Sequence, residues 1–425
     1  MFSSASILIT TAIFIITYAL IVSEKFNRTS LALLGAATML AFKIVSQEHA
    51  FEAIDFNTIG VLIGMMIIVI ITKRTGIFQY VAIKAAKVAK GDPWKILLAF
   101  SILTAVSSAF LANVTIVLLI TPITLVITET LEISPLPFLM SQILMANIGG
   151  TATLIGDPPN IMIGSATDLG FMDFIINLGP IVTVIIVAII FVLKFMYGKE
   201  LHVKEELKEK ILKFDENKSI EDKVLLRKSL FVLALTVLGF VIHQYLHFES
   251  ATIAIIGAAL LLFISKLNPE EILLEIEWQT IFFFVGLFIL VGALEEVGII
   301  ESMAKALISI TNGNLFLTTI LVLWVSAIAS AFIDNIPFVA TMIPLINSIG
   351  TMTSMSIMPL WWALALGACL GGNGSLVGAS PNLIVAGMVE KTEYRISFGR
   401  FFKVGFPIMI LSLIISTIYL IVFYL

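Results

Sequence analysis

The chain reads as an all-α polytopic membrane protein built from two inverted-topology repeats, each with about five transmembrane helices, one re-entrant hairpin and one broken helix. Three observations predict this. Hydrophobic residues make up 59% of the 425 positions and charged residues 13%, with a mean hydropathy of +1.08, so a water-soluble core could not hide the apolar surface. A segment recurs without a gap: Ser108-Ala-Phe-Leu-Ala-Asn113 and Ser330-Ala-Phe-Ile-Asp-Asn335 start 222 residues apart (330 − 108), as do Pro122 and Pro344 (344 − 122). In the same register Gly149-Gly-Thr-Ala-Thr-Leu-Ile-Gly156-Asp-Pro-Pro-Asn160 falls on Gly371-Gly-Asn-Gly-Ser-Leu-Val-Gly378-Ala-Ser-Pro-Asn382. Shared greasiness does not align Gly, Pro and Asn, so the unit is a duplication. Equivalent loops, finally, carry opposite charge. The loop 73–95 holds Lys73, Arg74, Lys84, Lys87, Lys90 and Lys95, against Glu295, Glu296, Glu301 and Lys305 in the other copy. Asp168 and Asp173 likewise face Lys391, Arg395, Arg400 and Lys403, so the positive-inside rule puts equivalent loops on opposite sides.

Taken in order, apolar stretches of spanning length fall near 5–22, 30–47, 57–72, 173–197, 229–247, 251–266, 279–294 and 404–425. The first begins uncharged and has Lys25 and Arg28 behind it, the wrong order for a cleaved signal, so it is expected to stay as a span with its N-terminus outside. The C-terminus then also lies outside, and of the 25 Lys and Arg only Lys43 and Lys305 point to the outer face. Residues 77–90 predict a helix on the inner interface. Two apolar arms, 96–111 and 116–130, are about 22–24 Å long at 1.5 Å per residue, short for a core of about 30 Å. They predict a re-entrant hairpin tipped by Ala112-Asn113-Val-Thr115. Arms 317–332 and 338–352 predict a second, tipped by Asp334-Asn335 and entering from the opposite face. The organisation expected is a first repeat at 1–197, a charged cytoplasmic linker at 198–228 and a second repeat at 229–425. Glu200/Lys204, Glu206/Lys210 and Glu209/Lys213 suit a solvated surface helix in that linker. Trp94 and Trp278 are expected as anchors at the inner interface, Trp361 and Trp362 at the outer.

The chemistry is expected where helices break. Glycines 149, 150 and 156 (Gly149, Gly150, Gly156), with Pro158 and Pro159, must interrupt one helix, and Gly371, Gly372 and Gly378 its equivalent. Backbone freed at membrane depth is tolerated where it lines a cavity, and in transporters it binds substrate and coupling ions. Thr115, Thr151, Thr153, Asn373 and Ser375 add neutral oxygens, and Asn113, Asn335, Asn160 and Asn382 divide between tip architecture and ion ligation. Charge is added unequally: the first hairpin tip has Ala112 where the second has Asp334, and the first break has Asp157 where the second has Ala379. Each repeat thus keeps one costly intramembrane carboxylate, which points to H⁺ or Na⁺ coupling, with Na⁺ expected at the hairpin tips. No Lys or Arg is expected in the site. The single cysteine, Cys369, excludes an internal disulfide and a multi-thiolate metal site and is expected to pack. The four histidines have no metal-ligand spacing, and neither a cofactor nor a nucleic-acid partner is expected. No His-Glu-x-x-His or serine–base constellation lies in the spans, so an enzyme is not expected either.

These motifs resemble the ion transporter superfamily, specifically the arsenite permease/sodium–proton antiporter family and its pigmentation P-protein-like branch, over nearly the whole chain. The resemblance implies a midplane site moved by alternating access, with Asn113, Asn335 and the glycine-rich breaks at its binding elements. It also implies a homodimer through the first three spans of each half. The branch often has Phe-x-Asp-Asn at the first tip, and Ala112 removes that acid. The expected function is a secondary transporter of a small inorganic ion, either arsenite or antimonite extrusion or sodium–proton exchange. A sodium-coupled di- or tricarboxylate carrier is the alternative, followed by an ion channel. The expected location is a bacterial or archaeal plasma membrane.

Overall fold

The computed structural model describes residues 4–23, 25–199 and 201–425, all of its regular structure being helical. The first series comprises α1 (Ser4–Val22), α2 (Arg28–Ala41), α3 (Gln47–Glu52), α4 (Phe56–Lys73), α5 (Ile77–Val88), α6 (Pro93–Phe110), α7 (Asn113–Thr130), α8 (Leu136–Gly150), α9 (Pro158–Ser165) and α10 (Phe171–Tyr197). A short helix α11 (Glu205–Leu212) and a 3₁₀ turn (Glu216–Ser219) follow. The second series comprises α12 (Lys223–Ile242), α13 (Ser250–Ser265), α14 (Pro269–Leu274), α15 (Trp278–Glu296), α16 (Ile299–Thr311), α17 (Leu315–Phe332), α18 (Asn335–Met352), α19 (Met358–Gly371), α20 (Ser380–Met388) and α21 (Phe398–Phe423). Adding 222 to the bounds of α6 and α7 gives those of α17 and α18. The other eight pairs agree closely in order, so the duplication extends through every element of both series.

Ten of the described helices are long and apolar enough to cross a membrane. Large apolar side chains face outwards, among them Leu8, Phe195 and Phe263, each more than two-thirds exposed, which is the surface of an integral membrane protein. Contacts between the repeats are reciprocal. Helix α4 packs on α13, and their equivalents α15 and α2 pack on each other. Both contacts use the same device: a Cβ on Gly64 would lie 2.6 Å from the Ala254 backbone, and one on Gly286 would lie 2.6 Å from that of Ala32. Small residues let these backbones meet. Helix α6 packs far more on α8 than on its own return arm α7, and α17 does the same with α19.

Several expectations need correction. The stretch 30–47 gives a helix only to Ala41, because Lys43 adopts a left-handed conformation (φ 55°) and turns the chain. Helix α12 begins at Lys223, inside the expected linker, since Asp222 caps it by accepting hydrogen bonds from the amides of Val224 and Leu225. The hairpin arms are 18 residues each, about 27 Å at 1.5 Å per residue, because Asp92 and Asn314 cap α6 and α17 ahead of the apolar run. Only Leu111-Ala112 and Ile333-Asp334 separate the arms, so Asn113, Thr115 and Asn335 stand in the first turn of the return helices. Trp361 and Trp362 are buried, and Trp362 packs edge-on against Phe174 at 5.4 Å, so they belong to the core and not to an interface. Trp278 is half-exposed and its Nε1–H donates to the Leu273 carbonyl at 2.9 Å.

The linker is docked and not freely solvated. Ile211 is fully buried, Lys87 of α5 pairs with Glu216 at 2.5 Å, and its Nζ also donates to the Phe214 carbonyl at 2.9 Å. The linker's Glu205 pairs with Lys208 at 2.6 Å, the 206/210 and 209/213 pairs are absent among the described ion pairs, and Glu200 lies outside the described residues. Gly76, at φ 78°, lies so close to the linker that a Cβ there would sit 1.7 Å from the Ser219 carbonyl oxygen. Lys87 holds the Glu216 carboxyl below its ordinary value of 4.5. The pair's contribution is therefore complete above pH 4.5 and lost as pH falls through the lowered value. Lys87→Ala is expected to expose the linker, read as severalfold faster tryptic cleavage at Lys210 and Lys213 with the helices intact. Unchanged cleavage would mean that packing at Ile211 holds the linker without the ion pair.

Candidate substrate site

Each break is closed by an asparagine of the helix that follows it. Asn160 Nδ2 donates to the carbonyls of Thr151 (3.1 Å) and Thr153 (2.8 Å), and Asn382 Nδ2 donates to those of Gly372 (2.8 Å) and Ser375 (2.9 Å). The Thr153 and Ser375 hydroxyls donate to the Ala109 and Ala331 carbonyls, and Ser108 and Ser330 to those of Ala146 and Ala368 at 2.6 Å, all at equivalent positions. The Thr151 hydroxyl donates to the Asn147 carbonyl at 2.9 Å. The glycines permit this closeness: a Cβ on Gly150 would lie 2.7 Å from the Gly156 oxygen, and one on Gly378 would lie 2.9 Å from the Gly372 oxygen.

The repeats then interlock through Asn147. Its Nδ2 donates to Asn373 Oδ1 (2.9 Å) and Asn382 Oδ1 (3.0 Å), and Asn113 Nδ2 donates to its Oδ1 at 3.5 Å. Asn373 Nδ2 donates in turn to the Leu144 carbonyl at 3.2 Å. Cys369, which occupies the position equivalent to Asn147, donates to Asn160 Oδ1 at 3.6 Å. Both ends of Asn160 and Asn382 are therefore engaged, and their geometry serves the architecture. Asn382→Ala is expected to cost about 1–3 kcal/mol, because it strips the partners from two buried carbonyls and from Asn147. A thermal-unfolding midpoint equal to wild type would refute that role.

In front of this network lies a cavity of about 170 Å³. Its walls bring together the N-termini of four helices: Asn113 and Thr115 of α7, Asp157 and Pro158 at α9, Asn335 of α18, and Ala379 and Ser380 at α20. The remaining wall comes from α2, α4 and α15 through Arg28, Leu62, Met66, Glu277 and Thr280. Helix N-termini carry partial positive charge, so four of them around one space favour an anion through their dipoles, although Pro158 and Pro159 have no N–H and the amides of Val114 and Ile336 are already bonded to Asn113 and Asp334. Asp157 is buried, its side chain caps nothing, and its Oδ2 has no hydrogen-bond partner. Cys369, Asn335 and Asn113 are its polar neighbours. Asp334 does cap its helix, its Oδ1 accepting from the Ile336 amide at 3.2 Å. It lines an adjoining cavity of about 340 Å³.

The predicted residues thus separate into two layers. Asn113, Thr115, Asp157 and Asn335 line the inner cavity and Asp334 its neighbour, while Thr151, Thr153, Asn160, Asn373, Ser375, Asn382 and the six glycines build the network behind. Two expectations are overturned. A cation does stand in the site: Arg28 Nη1 lies 2.5 Å from Asp334 Oδ2 and 3.3 Å from Ser380 Oγ. Cys369 joins the polar network instead of only packing. Sequence reasoning missed Arg28, Asn147, Glu277 and Ser380. Asn147 stands two residues ahead of the Gly149-Gly150 pair and was open to discovery, whereas Arg28 reaches a partner 306 residues away and carries no local signal. Among the described residues no group of three or more His, Cys, Asp or Glu is arranged to hold a metal.

An all-helical duplicated chain with broken helices and hairpin tips meeting at a buried polar cavity is built as a membrane transporter. Residues 18–367 match the family model described as citrate transporter, CitMHS. The chain belongs to this family, within the ion transporter superfamily. Over 414 residues, 96% of each chain, it is 41% identical to an uncharacterized transporter of Mycobacterium tuberculosis and 42% identical to a 46 kDa membrane protein of Mycobacterium leprae. It is 37% identical to the P protein of Mus musculus, covering 95% of this chain and 59% of that protein. The YdaH transporter of Alcanivorax borkumensis shares the fold, with a TM-score of 0.56 and 12% identity over 98% of both chains.

Proposed function

We propose that the protein is a secondary transporter of a small anion of the di- or tricarboxylate class, coupled to H⁺ or Na⁺ through Asp157. One observation carries this reading: four helix N-termini and Arg28 converge on one cavity. The family's description as citrate transporters supports it. Asp157, a buried carboxylate beside that space with no hydrogen-bond partner at Oδ2, is the group whose charge a coupling ion would neutralise. Sodium–proton exchange is the second reading, favoured by Asp157 together with Glu277 in the same wall and by the likeness to P protein. Arsenite or antimonite extrusion stands behind both, because no feature of the cavity selects it.

The repeat boundaries at 197 and 229, the re-entrant course of α6–α7 and α17–α18, outside termini, a cytoplasmic linker, a bacterial or archaeal plasma membrane and a homodimer complete the proposal. The basic loops and the reciprocal contacts support an inverted arrangement. Arg74 bridges Glu271 (3.1 Å) and Glu275 (2.5 Å), which explains why the α14 loop can be acidic on a side otherwise marked by bases. The test is uptake of labelled citrate and succinate into proteoliposomes under an imposed H⁺ or Na⁺ gradient. Saturable, gradient-dependent uptake is expected. Uptake of neither anion, with Na⁺ dissipating a pH gradient, would replace this reading by cation exchange.

A further inference from the structure

We propose that Arg28 grips the substrate carboxylate, and that Asp334 is an internal stand-in which the incoming anion displaces. This rests on the small-anion reading of the cavity. Arg28 borders both the 170 Å³ and the 340 Å³ cavities, whereas Asp334 borders only the second. The guanidinium therefore stands between them. It sits over the Phe283 ring at 5.2 Å, a cation–π contact that helps hold it in place. Its described hydrogen bonds, to Asp334 and Ser380, use Nη1 alone. A guanidinium has five donors in a rigid fork, so a second edge remains for a carboxylate, the ligand it matches best. The Arg28 side chain is 35% exposed and that of Asp334 15%, both bordering a cavity, so exchange of partners need not open a sealed ion pair.

The repeat comparison separates this role from a plain structural tie. The positions equivalent to Arg28 and Asp334 are Ser250 and Ala112. Both charges are missing together from the other copy, although the helices carrying them are kept. The symmetry-related contacts that hold the scaffold, at Gly64/Ala254 and Gly286/Ala32, do appear in both. Charge confined to one end suits a ligand that is itself charged and bound in one orientation.

The test measures apparent Kd for citrate and succinate from the ligand dependence of thermal unfolding in detergent. Arg28→Gln is expected to raise Kd about tenfold or more, with Arg28→Lys between it and wild type. Asp334→Asn keeps the cap on α18 but removes the competitor, and is expected to lower Kd about threefold or more. A mere tether predicts shifts in the same direction, or none, because both variants break it, and that result would overturn the proposal. If wild type responds to the anions and Arg28→Gln binds them equally well, this inference fails while the anion reading survives. If wild type responds to neither anion, the anion reading itself fails and this assignment falls with it. Should Arg28→Gln not fold, Asp334→Asn and Arg28→Lys decide alone: a Kd unchanged or raised in Asp334→Asn contradicts displacement.

Discussion

Asp157→Asn is expected to abolish gradient-driven accumulation while leaving exchange of anion across the membrane in place. The accumulation ratio should fall at least about 100-fold, which corresponds to ~2.7 kcal/mol of lost coupling. The reason is local. Asp157 stands at the N-terminus of α9, 2% exposed, with Oδ2 buried and unpaired. Holding such a charge with no opposite charge paired to it among the described ion pairs costs several kcal/mol, so the site is relieved when a proton or sodium ion arrives. Asparagine matches the shape and is always neutral, so the ion no longer decides which state the protein occupies. Counterflow of labelled anion in vesicles loaded with unlabelled anion measures exchange alone. Loss of counterflow together with accumulation would make Asp157 an element of folding or anion binding, not of coupling.

Gly149→Ala is expected to destroy the folded protein. A Cβ at Gly149 would lie 2.1 Å from the Ala105 carbonyl oxygen and 2.5 Å from its Cα, both backbone atoms of α6. No side-chain rotation relieves that overlap, so α6 and α8 must part along the contact that seats the first break. The cost should be ~3 kcal/mol or more, at the upper end for overpacking. At Gly371 the closest approach is 2.6 Å, to the Ala327 oxygen, so Gly371→Ala should be destabilising but milder. Gly387 meets nothing within 4 Å in helix α20, and Gly387→Ala should be neutral or stabilising by about 0.5–1 kcal/mol. Size-exclusion profiles and unfolding midpoints of the three variants give this order. A stable, monodisperse Gly149→Ala protein would contradict the close packing of α6 on α8.

Much of the fold is legible in the sequence because duplication repeats information. Gly, Pro and Asn at a fixed spacing mark the breaks and tips, and they do so for a physical reason: each sits where backbones touch or a helix must start anew. The helix ends are less legible. Apolar windows miss first turns that carry caps and charges, as at Asp92, Asp222 and Ser397, and these make α6, α12 and α21 start earlier than expected. Within the site, Asp157 and Asp334 stand out as charges in apolar sequence. Their environments do not, because the partner of Asp334 lies on α2 and the neighbours of Asp157 come from both repeats. Asn160 and Asn382 cannot be separated from true ligands by sequence, since the same amide that binds an ion can close a helix break. Trp361 and Trp362 mislead for a related reason: tryptophan at a span end suits an interface, but here that end is covered by neighbouring helices.

Anion movement through the cavity is, on this proposal, tied to a cation taken up at Asp157. The direct measurement loads one set of proteoliposomes with a pH-sensitive dye and a sodium-sensitive dye, imposes a citrate or succinate gradient, and follows both dyes with the labelled anion. Anion entry is expected to carry H⁺ or Na⁺ inwards in fixed proportion, and Asp157→Asn is expected to break this proportion. Anion entry with neither ion, or identical traces from wild type and Asp157→Asn, would contradict it.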